Sequence, residues 1–207
     1  MISLLFLGGV IDTKQQILQK ARKLFAKHGY DGVSTRAICE KASCNISAIS
    51  YHFGSKEELY RACLTEDGSN IIQLMNTILS SIEDEADFKA KLRIFMIQMF
   101  DYFMNNRDLI LMISKDVNSR LAMESIHKIF NKIPDKLTGF FKEAIEKGIL
   151  RKDIDPETLG QLIINPLFMQ TLFSEKPSKN RILSDANERN SFIEQQLLVF
   201  FQSIFPR

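Results

Sequence analysis

The 207-residue chain has no tryptophan, five prolines and only three cysteines. Cys39, Cys44 and Cys63 form no C-x-x-C and have no histidine pair nearby, so neither a disulfide framework nor a zinc site is expected. Three free thiols fit a reducing cytoplasm. No segment offers 18 uninterrupted apolar residues, so no membrane-spanning helix and no membrane partner are expected. Also absent are G-x-S-x-G, G-x-x-x-x-G-K, H-E-x-x-H and the Rossmann glycine pattern, which argues against an enzyme and against any cofactor or metal. The apolar start, residues 1–11, has no Lys or Arg ahead of it and no A-x-A-like cleavage site. It reads as an extension and not as an address.

What is present is ordinary globular material, 45% hydrophobic and 25% charged, enough for one large or two small domains with a real core. The overall charge of +2 conceals an asymmetry. Residues 1–63 carry nine Lys/Arg against five Asp/Glu, a net of +4, and the remainder is at −2. A basic first third suits a nucleic-acid contact confined to that part, although four charges can equally be a solvated surface.

The periodicity is helical throughout, and the expected fold class is all-α. Asp12 and Gln15 suit a capping box, followed by a stripe of Ile17, Leu18, Ala21, Leu24 and Phe25 that Gly29 ends. Ser34 caps a short helix over 35–42 and Asn45 a second over 46–52, with only Ser43 and Cys44 between them. Two short helices on so tight a turn, with a longer helix in front, make a helix-turn-helix. Ser55-Lys-Glu-Glu58 opens a long helix reaching Ile82, which Gly68 can bend. Further helices are expected over 88–105, 107–116, 119–147, 156–174 and 188–204, with a boundary between Gly148 and the Asp155-Pro156 cap. Pro134 and Pro166 fall inside helices and should kink or split them. The polar stretch 174–181 reads as a loop.

The runs Ile17-Leu-Gln-Lys-Ala-Arg-Lys-Leu-Phe-Ala-Lys-His-Gly-Tyr30, Ser34-Thr-Arg-Ala-Ile38 and Ala48-Ile-Ser-Tyr-His-Phe-Gly-Ser-Lys-Glu-Glu-Leu-Tyr60 closely resemble the DNA-binding domain of TetR-type (TetR/AcrR) transcriptional regulators. The resemblance covers residues 13–60; the wording of 45–56 looks most like the subgroup with a CecR-like effector domain. It implies an N-terminal extension (1–11), a three-helix helix-turn-helix domain (12–60) and a larger helical effector-binding and dimerisation domain (61–207). It further implies a homodimeric repressor, less often an activator, released from a double-stranded, near-palindromic DNA operator by a small ligand. Two departures stand out. The turn usually carries Gly where this chain has Ser43, at a cost of about 1 kcal/mol if φ is positive there. The recognition helix usually carries Tyr where this chain has Ser50.

On that resemblance Arg36 matches a position from which some members reach a base edge; the alternatives are a phosphate contact or solvent. Ser47, Ala48 and Ser50 point toward the groove if Ile49 and Phe53 point inward, whereas Ile46 is either core or an exposed apolar contact. Thr35, Tyr51, His52 and Lys56 suit phosphates, with a merely exposed imidazole as the alternative for His52. With the caps Ser34 and Asn45, these residues complete the expected DNA-binding set. Cys39 and Cys44 are expected to be buried and inert, and His28 and His127 to be structural.

Thirteen of the 16 phenylalanines lie beyond residue 74. A stripe of Phe and Met along 88–112 is first of all core, yet it looks apolar on more than one side. A cavity for a small apolar or amphipathic effector is therefore expected, touched by Phe95, Met99, Phe103, Met112, Phe140 and Phe168. Leu197, Leu198, Phe200, Phe201, Ile204 and Phe205, with Leu162, Ile163, Leu167 and Phe168, are expected to form a dimer face. The rival reading is a helical interaction protein without sequence-specific DNA binding.

Overall fold

The computed structural model describes residues 13–66, 68–121, 124, 132–173 and 185–206. Among them lie ten α-helices and no strand. The expected extension, Asp12, His127 and the 174–181 loop lie outside the described residues.

The first core gathers α1 (Thr13–His28), α2 (Thr35–Ala42), α3 (Ile46–Phe53) and α4 (Lys56–Thr65). Ile17, Leu18, Ala21 and Phe25 recur one helical turn apart along α1 and are all buried, so one stripe of α1 becomes the floor on which the short helices sit. Ile38 and Ala42 of α2, Ile49 of α3, and Leu59, Tyr60 and Cys63 of α4 fill the other side. This core does not stop at residue 60. Leu109 and Met112, from α7 (Arg107–Lys115), are buried inside it, so a helix from the second half forms one wall of the first.

The second core is built from α5 (Gly68–Ile78), α6 (Glu85–Asn105), α8 (Lys132–Glu146), α9 (Pro156–Leu172) and α10 (Ala186–Ile204). Phe88 stacks on Phe140 at 5.3 Å and meets Phe141 edge-on at 6.0 Å, and Phe141 reaches Phe200 at 5.9 Å. The loop between α5 and α6 is clipped from α8: Glu143 Oε1 accepts from the Ile82 N–H at 2.9 Å, and the Lys147 ammonium donates to the Ile82 carbonyl. Ile82, expected at the end of a long helix, is instead a buried loop residue.

Several boundaries follow from caps. Asp84 accepts from the Asp87 N–H at 2.8 Å and starts α6 three residues before the expected 88. Gly148, at φ +73°, stops α8, and Asp155 caps α9 with Pro156 in its first turn, both as expected. The single helix expected from Lys56 to Ile82 does not form. Helix α4 ends at Thr65 and α5 begins at Gly68, because a glycine there weakens helix continuity while each half already buries its own apolar stripe. Nor does Pro166 split α9, which runs unbroken to Leu172. The carbonyl left without a donor belongs to Leu162, an exposed residue, where water can serve it. Pro134 lies inside α8, which continues past it to Glu146.

Candidate nucleic-acid interface

Each short helix of the N-terminal core is started by a side chain. Ser34 Oγ accepts from the Ala37 N–H at 3.1 Å, Asn45 Oδ1 from the Ala48 N–H at 2.9 Å, and Ser55 Oγ from the Glu58 N–H at 3.1 Å. With eight residues each, α2 and α3 would not persist alone in water; caps and the α1 floor hold them. The turn between them closes through the Cys44 N–H to the Cys39 carbonyl at 3.0 Å. Ser43 carries that turn at φ 52°, ψ 42°, the only non-glycine at positive φ among the described residues. The strain anticipated from the missing glycine is therefore present.

Helix α3 turns one residue inward. Ile49 is fully buried, while Ser47, Ser50 and Tyr51 are exposed, Tyr51 at 85%. Ile46 is 55% exposed, so it is not core and stands outward with the exposed side chains of α3. Ala48 and Phe53 are partly buried against the core. Ser47 Oγ donates to Asn45 Oδ1 at 2.7 Å, which orients the cap. Ser34, Arg36, Asn45, Ile46, Ser47, Ser50 and Tyr51 are thus all exposed, and Thr35, Ala48, His52 and Lys56 half-buried. The outer surface of α3 is short, hydroxyl-rich and free of acidic side chains, a shape that enters a DNA groove without repulsion. Arg36 stands on α2 and pairs with Glu40 at 3.2 Å, an exposed pair that a phosphate or base edge can displace at little cost.

Lys56 lies at the start of α4, its ammonium 4.1 Å from the centre of the Tyr30 ring. That ring meets Tyr60 edge-on at 5.1 Å, and Tyr60 meets Phe25 at 5.0 Å. Beneath them Asp116, just past α7, accepts from Tyr60 Oη at 2.6 Å and from the Tyr30 N–H at 3.1 Å. Burial, reinforced by the bond to Asp116, pushes the Tyr60 phenol far above its ordinary pKa. Asp116, Tyr30 and Tyr60 were not singled out from the sequence. Their separations of 86 and 56 residues leave no local signal, although Gly29-Tyr30 beside a helix end marks a special turn.

Burial pushes the Cys39 thiol up to about 11 and that of Cys63 up to about 12, leaving little thiolate at neutral pH, whereas Cys44, also expected to be buried, is only partly so. Among the described residues no cluster of three metal-ligating side chains occurs, and no helix is long and apolar enough to cross a membrane.

The six residues expected at an effector cavity do not all meet. Phe95, Met99, Phe103 and Phe140 are buried in the second core with Phe168 partly buried against it, Phe103 and Phe168 being 6.1 Å apart. Met112 belongs to the first core. A cleft of about 380 Å³ lies between α8 and α9, lined by Pro134, Asp135, Thr138, Glu157, Gly160, Gln161, Ile164 and Asn165, none of the six.

The expected dimer face also needs correction. Ile163, Leu167, Leu197, Phe200 and Ile204 are buried in the chain's own core, and Phe168, Phe201 and Phe205 pack against it. Of that set only Leu162 and Leu198 are exposed, joined by Met169, Phe173 and Val199. The sequence stripe was apolar on two sides, and its inner side went to the core.

Residues 17–63 match the profile of "Bacterial regulatory proteins, tetR family". The match assigns a TetR-type helix-turn-helix domain to this N-terminal stretch of the chain. A 66-residue segment is 36% identical to the HTH-type transcriptional repressor AcnR of Corynebacterium efficiens, covering 32% of this chain and 35% of that one. The match thus spans about a third of that relative's length. In three dimensions the likeness extends over most of the chain. The ketosteroid transcriptional regulator KstR2 of Mycobacterium tuberculosis superposes with a TM-score of 0.74 at 16% identity, covering 97% of this chain and 98% of that one. FadR of Bacillus subtilis, solved in complex with stearoyl-CoA, superposes with a TM-score of 0.69 at 18% identity, covering 89% and 96%. The all-α fold, with its larger C-terminal helical domain, is therefore shared with these structures over 97% and 89% of this chain.

Proposed function

We propose that this chain is a ligand-released transcriptional repressor of the TetR type that binds a near-palindromic operator as a homodimer. The observation that carries the reading is α3: held by one buried residue and one cap, it presents Ile46, Ser47, Ser50 and Tyr51 outward on the basic third of the molecule. Arg36 reads a base edge from α2, while Thr35, Tyr51, His52 and Lys56 take phosphates.

The second copy docks on the outer face of α9 and α10. Leu162, Met169 and Phe173 align one or two turns apart on α9, with Leu198 and Val199 exposed on α10. A shallow cleft of about 220 Å³ between the two helices, lined by Leu162, Val199 and Ser203 among others, is ready to take side chains of a partner copy. Two-fold pairing then brings two α3 helices to successive major grooves, about 34 Å or a small multiple apart.

The effector is an apolar or amphipathic small molecule held in the Phe- and Met-rich second core. The acyl-CoA complex of the Bacillus subtilis FadR gives this reading its support. Because Phe95, Met99, Phe103 and Phe140 are already packed, the ligand must open space among them, with Phe168 as the half-buried way in. It releases DNA only if it binds one arrangement of the two DNA-binding domains better than the other, and the usual coupling of about 1 to 3 kcal/mol lowers operator affinity about 5- to 150-fold.

A mobility-shift assay with the region upstream of the chain's own gene, in the presence of competitor DNA, tests the reading. A specific shift supports it. Equal displacement by any duplex would favour a helical interaction protein instead.

A further inference from the structure

Helix α4 ends at Thr65 and α5 begins at Gly68, so the two halves are not joined by one helix from Lys56 to Ile82. Another connection is built into the fold. Helix α7 keeps Ile110 buried in the second core, buries Leu109 and Met112 in the first, and is capped at its end by Asp116. Asp116 Oδ2 takes the Tyr60 hydroxyl at 2.6 Å and the Tyr30 N–H at 3.1 Å. One carboxylate thereby ties three elements: its own helix, the turn after α1, and α4.

The consequence runs outward through Tyr30. Its backbone is held by Asp116, its ring leans edge-on against Tyr60, and the exposed side of that ring carries the Lys56 ammonium at 4.1 Å. Lys56 is in turn the first residue of α4, three residues after the end of α3. The approach of the carboxylate leaves little room for a side chain on the residue before Tyr30. A Cβ on Gly29 would stand 3.2 Å from Asp116 Oδ1, and its φ of +71° disfavours any other residue. The bond to Tyr60 is made with the phenol protonated, and the oxygen is buried, so water does not compete for it.

We infer that Asp116 is a positioning residue for DNA binding: through Tyr30 and Tyr60 it sets the placement of the Lys56 ammonium, and α7 is the element by which the second half can withdraw it. This rests on the DNA-binding reading above and adds the residue through which the two halves are joined. The recognition is of a phosphate by an ammonium whose position is fixed by an aromatic ring. Displacing α7 along its axis would break the two hydrogen bonds first, since they tolerate less movement than the apolar contacts of Leu109 and Met112.

The test compares the unsubstituted chain with Asp116→Asn, Lys56→Ala, their combination, and Tyr60→Phe, using a duplex carrying the region upstream of the gene and a scrambled duplex. Affinity is read across a salt series, melting temperature by circular dichroism, and exchange of the Tyr30 amide by hydrogen exchange without DNA. Asp116→Asn is expected to speed Tyr30 exchange and to weaken duplex binding on the order of tenfold, the loss of one charge-assisted contact per protomer. It should also lower the salt slope by about one per protomer. In the Lys56→Ala background it should lower the slope no further, because the contact it positions is already gone. Tyr60→Phe, which keeps the ring and loses one bond, should fall between the two. A lower melting temperature with an unchanged salt slope, or an unchanged Tyr30 exchange rate, would overturn the inference while leaving the proposed function standing. Failure of the unsubstituted chain to bind the upstream duplex more tightly than the scrambled one would overturn the proposed function and this inference with it.

Discussion

The two cores expose opposite kinds of surface. The first is the smaller and adds to its apolar contacts a set of hydrogen bonds: three side-chain caps, the closed turn at Ser43 and the Asp116 tie. Its outer helix spends one residue, Ile49, on burial and keeps the rest for contact. The second is aromatic, with α6 alone burying seven residues, and among the polar side chains it leaves outside on α9 and α10 stand the large apolar ones of Leu162, Met169, Leu198 and Val199. The difference teaches which partner each half expects. Short polar side chains above a basic third suit a phosphate-lined groove; Phe173 at 72% exposure and Val199 at 68% suit a second apolar face.

The comparison can be broken most forcefully from the aromatic side. Phe141→Ala, at the centre of the ring cluster, should lower unfolding free energy by about 3 to 5 kcal/mol in urea titration. Ile49→Ala should cost about 2 to 4 kcal/mol, with DNA binding lost before the second core melts. If both substitutions unfolded the chain in one identical transition with no prior loss of binding, the two cores would be a single unit. At the surface, Leu162→Glu combined with Leu198→Glu should give monomers by sedimentation at micromolar concentration, because unpaired carboxylates cannot be buried in an apolar interface. A dimer that persists would place the interface elsewhere.

Arg36→Ala should cost about 1 to 3 kcal/mol and relax preference at one base pair. If every sequence were weakened alike, Arg36 would instead be a phosphate contact. A smaller effect of opposite sign is expected at the strained turn. Ser43→Gly should stabilise the first core by about 0.5 to 1 kcal/mol, since glycine adopts that φ without the Cβ clash. The smallest effect concerns the clip on the second core. The Lys147 ammonium, aided by the Ile82 N–H, holds the Glu143 carboxyl below the ordinary carboxylate range. Its contribution is therefore present above the unfolded value of about 4.3 and is lost as pH falls through the lower folded one. Glu143→Gln should lower stability slightly at neutral pH, where the contribution is present, and converge with the unsubstituted chain as pH falls through the folded value, so that the acid limb is flatter.

How much of this was legible in the sequence differs between the halves for a physical reason. Caps are local: Ser34, Asn45, Ser55, Asp155 and Gly148 announce their helices within four residues, and all five act as expected. The resemblance of residues 13–60 likewise rests on adjacent residues. Burial is not local. A helix apolar on two sides does not say which side faces its own core, so Ile163, Leu167, Leu197, Phe200 and Ile204 were assigned outward and lie inward. Met112 was placed with the second half by its position in the chain, yet α7 crosses into the first core. Asp116 had no pattern at all, because its partners come from elements 56 and 86 residues away.

The central claim is that α3 reads DNA as one of a symmetric pair. A hydroxyl-radical footprint of the region upstream of the gene tests it most directly. The account predicts two protected patches related by a two-fold axis, about 34 Å or a small multiple apart, that vanish with the Leu162→Glu, Leu198→Glu monomer. A single continuous protection, or one that slides with the end of the fragment and survives in the monomer, would contradict it.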